Sequence, residues 1–198
     1  MKKLFLACAL SAAAIAPAAA SAADPAPSDF KNAAKYCKAL KAASGSSFAS
    51  MFGTKKNAYG KCVSSTAKKQ ANEDAANENA AKTNAAKECK AERDDAGFAA
   101  AHGGKTFEQF YGTGNGKNAH GKCVSQKAKQ HKADADAEDK AQQKDRLNAA
   151  KTCKAAKKSD PAKFAEDYGT SRNAFGKCVS RTAKKLAAER KAESAPTA

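Results

Sequence analysis

The residues of this chain with the most definite chemistry are its cysteines. There are seven, and six of them, Cys37, Cys62, Cys89, Cys123, Cys153 and Cys178, lie in the body of the chain. They fall in three pairs, separated by 25, 34 and 25 positions. An even number of cysteines in an exported chain reads as a disulfide framework. No C-x-x-C occurs, so the signature of disulfide exchange is absent.

Other chemistry is weaker. Gly116-Lys117-Asn118-Ala119-His120-Gly121-Lys122-Cys123 follows the phosphate-loop pattern, but Cys123 stands where Ser or Thr would hold magnesium. That loop also needs a strand before it, and none is expected here. Asp134, Asp136, Glu138 and Asp145 take the offsets of a calcium loop, yet Asp139 occupies the position of its turn glycine. That segment reads as continuous helix. His102, His120 and His131 have no metal-ligand spacing. The sequence therefore assigns no catalytic, cofactor-binding or metal-binding residue and no cofactor, and the chain is expected not to be an enzyme.

Charge is the remaining lead. The formal net charge is +16. Residues 31–62 hold seven lysines and no acid, and residues 151–185 hold ten basic and three acidic groups. Residues 87–123 are nearly balanced, with six basic and five acidic groups. The candidate anion-binding residues are Lys31, Lys35, Lys38, Lys61, Lys154, Lys177, Arg181 and Lys184. Such a field attracts wall polyanions, acidic glycans, anionic lipid or nucleic acid. The plainer alternative is that the charge serves solubility alone. Nucleic acid is the least favoured partner, because no nucleic-acid motif occurs and the aromatics are expected in cores. Membrane insertion would need a broad face of Leu, Phe or Trp. There is no Trp, and the expected helices are alanine-faced. No small-molecule substrate is evident, and the sequence leaves the oligomeric state open.

These residues are positioned by a repeat. The pattern N-A-A-K-x-C-K-A, a variable loop, F-x-x-x-[FY]-G-T, a short linker and N-A-[YHF]-G-K-C-V-S occurs three times. We divide the chain into repeat 1 (24–70), repeat 2 (84–130) and repeat 3 (148–186), with spacers over 71–83 and 131–147 and a tail over 187–198. A unit copied as a unit should carry its own bridge. That favours Cys37–Cys62, Cys89–Cys123 and Cys153–Cys178 over free thiols or shuffled pairs.

The fold class expected is all-α. Alanine supplies 51 of the 198 residues, and Lys, Glu, Gln and Arg supply much of the remainder; these are strong helix formers. Neither Gly nor Pro interrupts residues 61–96 or 122–160. We expect four helices, near 28–43, 58–96, 119–159 and 174–193, the middle two long. Three stapled helical-hairpin corners would join them, with corners one and three at one end and corner two at the other. Ser28 is the expected cap of the first helix. Asn57, Asn118 and Asn173 are expected N-caps of the helices they precede, and Gly53, Gly112 and Gly169 the stops of short preceding helices. Gly60, Gly121 and Gly176 are read as points of close approach. Leu, Ile, Val and Phe supply only 14 of residues 24–198. With so little core, an antiparallel array and an open zigzag both remain possible. Ala67, Ala71 and Ala75, four apart, favour the array by permitting close helix approach.

The first 23 residues read as a secretory signal: Lys2 and Lys3, an apolar run from Leu4 to Ile15, and Ala20-Ser21-Ala22 ahead of the cleavage point. The expected location is secreted or cell-envelope-associated, with no spanning segment after cleavage. Cys8 sits too early for a lipobox. Finally, Phe52 to Ser64 and Tyr168 to Ser180 carry [FY]-G-T-x-x-N-A-[FY]-G-K-C-V-S, and Tyr111 to Ser125 carries a longer version with His120. This run resembles a module of uncharacterised exported proteins of high-GC Gram-positive bacteria. The resemblance implies export and bridging within each repeat, and no activity. The expectation is therefore a secreted or wall-associated structural or interaction protein, with a binder of anionic polymer as the alternative.

Overall fold

A computed structural model describes residues 30–53 and 56–194. The expected signal segment, the Ser28 cap and residues 195–198 lie outside the described residues. The described chain is helical, with no strand. Helix α1 spans Ala33–Ser44, α2 Phe48–Phe52, α3 Ala58–Asp94 and α4 Phe98–Ala101. Helix α5 spans Phe107–Tyr111, α6 Ala119–Ser159, α7 Pro161–Tyr168 and α8 Ala174–Ser194. The expected count of four is thus too low. Helices α3, α6 and α8 take the places expected, α1 runs from Ala33 instead of from near residue 28, and the corners add α2, α4, α5 and α7. The F-x-x-x-[FY] segments form α2, α5 and α7, because a corner must turn the chain while burying two rings a helical turn apart.

The antiparallel array is the one observed. Cys37 bonds Cys62, Cys89 bonds Cys123 and Cys153 bonds Cys178, with Cα separations of 6.0, 5.9 and 6.0 Å. The bridges join α1 to α3, α3 to α6 and α6 to α8. Helix α6 packs against α3, α8 and α1, while α2 packs on both α3 and α8. Corners one and three therefore meet. Phe30, Tyr36, Leu40 and Phe48 share one core with Leu147, Phe164, Phe175 and Val179. Corner two has a separate small core of Phe98, Phe107, Ala119 and its bridge. The molecule is a four-helix head, from which the C-terminal half of α3 and the N-terminal half of α6 run out as a two-helix arm. Its far end is corner two. At 1.5 Å per residue, 37 residues make α3 about 55 Å long.

The seam of α3 explains both parts. Ala58, Cys62, Ala81, Ala85 and Cys89 are buried. Thr66, Gln70, Glu73 and Asn77, on the same seam between them, are half-buried and polar. Alanine lets the helices close along the arm. In the middle, longer polar side chains hold them apart. Ala67, Ala71 and Ala75, expected on the seam, are instead exposed. The four-residue spacing is right, but the register is displaced. Thr66 Oγ1 lies 3.6 Å from Cys37 Sγ, so the face that carries Thr66, and not the one that carries Ala67, meets the neighbouring helix.

Several capping expectations also change. Asn32 caps α1 at its observed start, its side chain accepting from the Lys35 N–H. Asn57 and Asn118 precede α3 and α6 but make no side-chain capping bond, and Asn118 adopts φ 60°. Gly53 and Gly169 end their helices at φ 107° and 84°, where a side chain would be strained. Gly112 ends α5 extended, with φ −72°. A Cβ on Gly60 would meet Asn57 Oδ1, whereas Gly121 and Gly176 face open space. The close approach expected at all three therefore occurs only at the first.

Candidate functional site

Fusion of corners one and three gathers the basic segments at the free end of the head. Helix α1 runs parallel to α6 toward that end, α2 lies across it, and α3 and α8 begin there. Residues 38–61 and 151–181 together carry thirteen basic and three acidic groups, a net of +10. Residues 62–150, which form the arm and its roots, carry fifteen basic and thirteen acidic groups, a net of +2. The arm's charges are matched: Lys82 pairs with Glu78 at 2.6 Å, Lys90 with Asp94 at 2.6 Å and Lys127 with Glu92 at 2.8 Å.

The eight candidate basic residues do not form one patch. Lys38 on α1, Lys61 at the start of α3, Lys154 near the end of α6 and Lys177 at the start of α8 are exposed around the basic end. Lys35 is exposed on α1 and is engaged within the protein. Lys31 lies ahead of α1 at its arm-side end, bound to Asp136 at 3.0 Å. Arg181 places its guanidinium carbon 5.4 Å from the centre of the Tyr168 ring, a cation–π contact. Lys184 lies farther along α8, at the rim of a groove.

That groove, of about 510 Å³, runs between α3, α6 and α8. It opens where the α3 seam is polar. Thr66 and Gln70 line one side, Gln143 and Arg146 another, and Ala183 and Lys184 the third. Tyr36 reaches in from α1. Burial pushes its hydroxyl above the ordinary tyrosine range, partly offset by the Arg146 charge. Beyond one end, Arg190 of α8 binds Glu138 at 2.8 and 3.1 Å and Asp145 at 3.3 Å. Hydrogen bonding from Arg190 pulls the Glu138 carboxyl down to about 2, against the opposing effect of burial. The segment 187–194, expected as tail, is thus the anchored end of α8. The spacer 131–147 is likewise held through Asp136, Glu138 and Asp145.

The calcium-like acids lie on continuous helix, and three of the four face cations instead of one another. Among the described residues, no cluster of His, Cys, Asp and Glu is arranged to hold a metal ion. Likewise, no helix is long and apolar enough to cross a membrane. His102 stacks on Phe98 with ring centres 3.9 Å apart. His131 Nε2 comes within 2.9 Å of Glu88 Oε1, but off the line of a hydrogen bond. In corner two, Glu92 also accepts from the Tyr111 hydroxyl at 2.9 Å. Burial raises the Glu92 carboxyl, but its bonds to Lys127 and Tyr111 outweigh that and leave it below the ordinary value.

Sequence reasoning missed Tyr36, Gln143, Arg146 and the Arg190 clamp. One signal was available. The chain uses five arginines against thirty-one lysines, and a planar fork is preferred where two acceptors must be held at once. Comparison of the chain with protein-family models, curated proteins and solved structures finds no match.

Proposed function

We propose that this chain is an exported, non-catalytic interaction protein that binds an anionic polymer of the cell envelope or its surroundings through the basic end of its head. The observation that carries the reading is the contrast between that end, at +10 over two short segments, and the charge-matched arm. A charge so concentrated at one end attracts polyanions and makes binding salt-dependent. The resemblance to exported proteins supports the location. The balanced arm supports a second, structural role as a spacer that holds corner two roughly 50 Å from the bound polymer.

The test is binding of the oxidised mature protein to wall polyanion, anionic vesicles, DNA and a neutral glycan across a salt series. One anionic polymer should bind in preference and weaken steeply with salt. The variant Lys38→Gln/Lys61→Gln/Lys154→Gln/Lys177→Gln should lose about tenfold or more in affinity, since each 1.4 kcal/mol is a factor of ten. Equal binding of the neutral glycan, or no effect of the four substitutions, would sink the reading.

A further inference from the structure

We propose that the groove between α3, α6 and α8 is a binding site for an acidic sugar unit, presented as a short stretch of a carboxylated polysaccharide. This rests on the preceding reading and names the chemistry of the polymer. The groove's volume of about 510 Å³ lies within the ~300–1,000 Å³ typical of small-ligand sites.

Its charges are unequally satisfied. Lys69 pairs with Glu73 at 2.7 Å, Asp145 with Arg190 at 3.3 Å and Lys191 with Glu138 at 3.4 Å. Arg146 and Lys184, on facing helices, have no acid partner among the described residues. Two unpaired cations opposite one another match one carboxylate, and the Arg146 fork can take both of its oxygens. The buried side-chain oxygen of Gln143 has no hydrogen-bond partner. That oxygen is closed off from solvent as it stands; an unmade buried acceptor is costly, and a turn of the Gln143 side chain into the groove that it lines would pair it with a sugar hydroxyl. Free phosphate can also donate but has no apolar face, and a lipid chain has no donor. The methyl groups of Ala183 and Ala187, with the edge of the largely buried Tyr36, give the same groove an apolar wall. Such a wall suits the C–H face of a pyranose ring. The nearby carboxylates of Glu73 and Asp145 keep the net charge of the groove low, which disfavours a densely charged polyphosphate.

The discriminating experiment measures binding of a short oligouronate to the full mature protein. A neutral oligosaccharide of equal length and inorganic phosphate are the comparison probes. The oligouronate should bind at least tenfold more tightly than either. Arg146→Gln should weaken it about tenfold. Lys184→Glu, on an exposed position that cannot disturb the core, should weaken it at least as much. Gln143→Leu should weaken it severalfold without changing the salt dependence. Lys82→Gln, on the exposed face of the charge-matched arm, should change it less than twofold. Circular dichroism confirms the fold of each variant. If the oligouronate fails to bind while long polyanions still bind through the basic end, the groove inference is wrong and the proposed function stands. If neither binds, both fall. Equal binding of the neutral sugar or of phosphate would overturn the assignment of an acidic sugar.

Discussion

Arg190 sits four residues from the end of the last described helix, where a sequence reading places an ordinary solvated side chain. Its fork bonds two carboxylates of α6, one of which, Asp145, is only 9% exposed. Arg190→Ala leaves that acid without its cation. Loss of hydrogen bonds to a charged, largely buried group costs about 1–3 kcal/mol. The variant should lower the thermal midpoint and fray the C-terminal turns of α8, which urea unfolding and amide exchange would register. The same clamp predicts a dependence on pH. The folded Glu138 carboxyl titrates at about 2, below its ordinary value. Its contribution is therefore complete above the unfolded value and is lost as pH falls from about 5 toward 2. Arg190→Ala should flatten the acid limb of the stability profile. An unchanged limb would show that other carboxylates govern acid unfolding. None of this was legible beforehand, because no spacing rule places residue 190 beside residues 138 and 145.

Helix boundaries, by contrast, were legible because they follow from local chemistry. Residues 61–96 and 122–160, free of Gly and Pro, carry most of α3 and α6, and Asn57 and Asn118 mark their starts, so both helices were placed to within two residues at each end. Glycine and proline punctuation locates the corners. The seam was not legible. A helix that carries alanine on every side offers many stripes of equal hydrophobicity, so periodicity alone cannot select Ala81 and Ala85 over Ala67, Ala71 and Ala75. Tertiary contact selected the face continuous with Cys62 and Cys89. This makes a prediction for the arm. Ala85 is fully buried against α6, so Ala85→Leu should overpack it and cost about 1–3 kcal/mol. Ala71→Leu, on the exposed face, should change stability by less than about 0.5 kcal/mol. Equal effects in paired denaturation curves would put the seam elsewhere.

The whole molecule differs most from its parts in how the corners share cores. Bridges Cys37–Cys62 and Cys153–Cys178 each close a loop of equal length and each contribute about 3.5 kcal/mol on the chain-entropy estimate, with about 3.8 for the longer Cys89–Cys123 loop. Those values treat the corners as independent. Because corners one and three bury one common core, removing both of their bridges should be non-additive. Removing bridge two with either of them should be additive within about 0.5 kcal/mol. Alanine pairs in the three single and three double combinations, compared by urea unfolding, would check this. Additivity of bridges one and three would mean the shared core carries little energy.

The sequence by itself determined the helical class, the extents of the long helices, the bridge pairing and the basic ends of the chain. Each depends on residues near one another along the chain or on a unit copied intact. Only the tertiary structure decided that the array closes into a head and an arm. It also decided which alanines form the seam, and that Lys31 and Arg181 are engaged while Lys38 and Lys154 are exposed at the basic end. The groove belongs with these, since its walls come from residues 36, 70, 143 and 184. Long-range packing chooses among faces that a repetitive, alanine-rich sequence leaves nearly equal, and in this chain a few aromatic side chains and one arginine clamp make that choice.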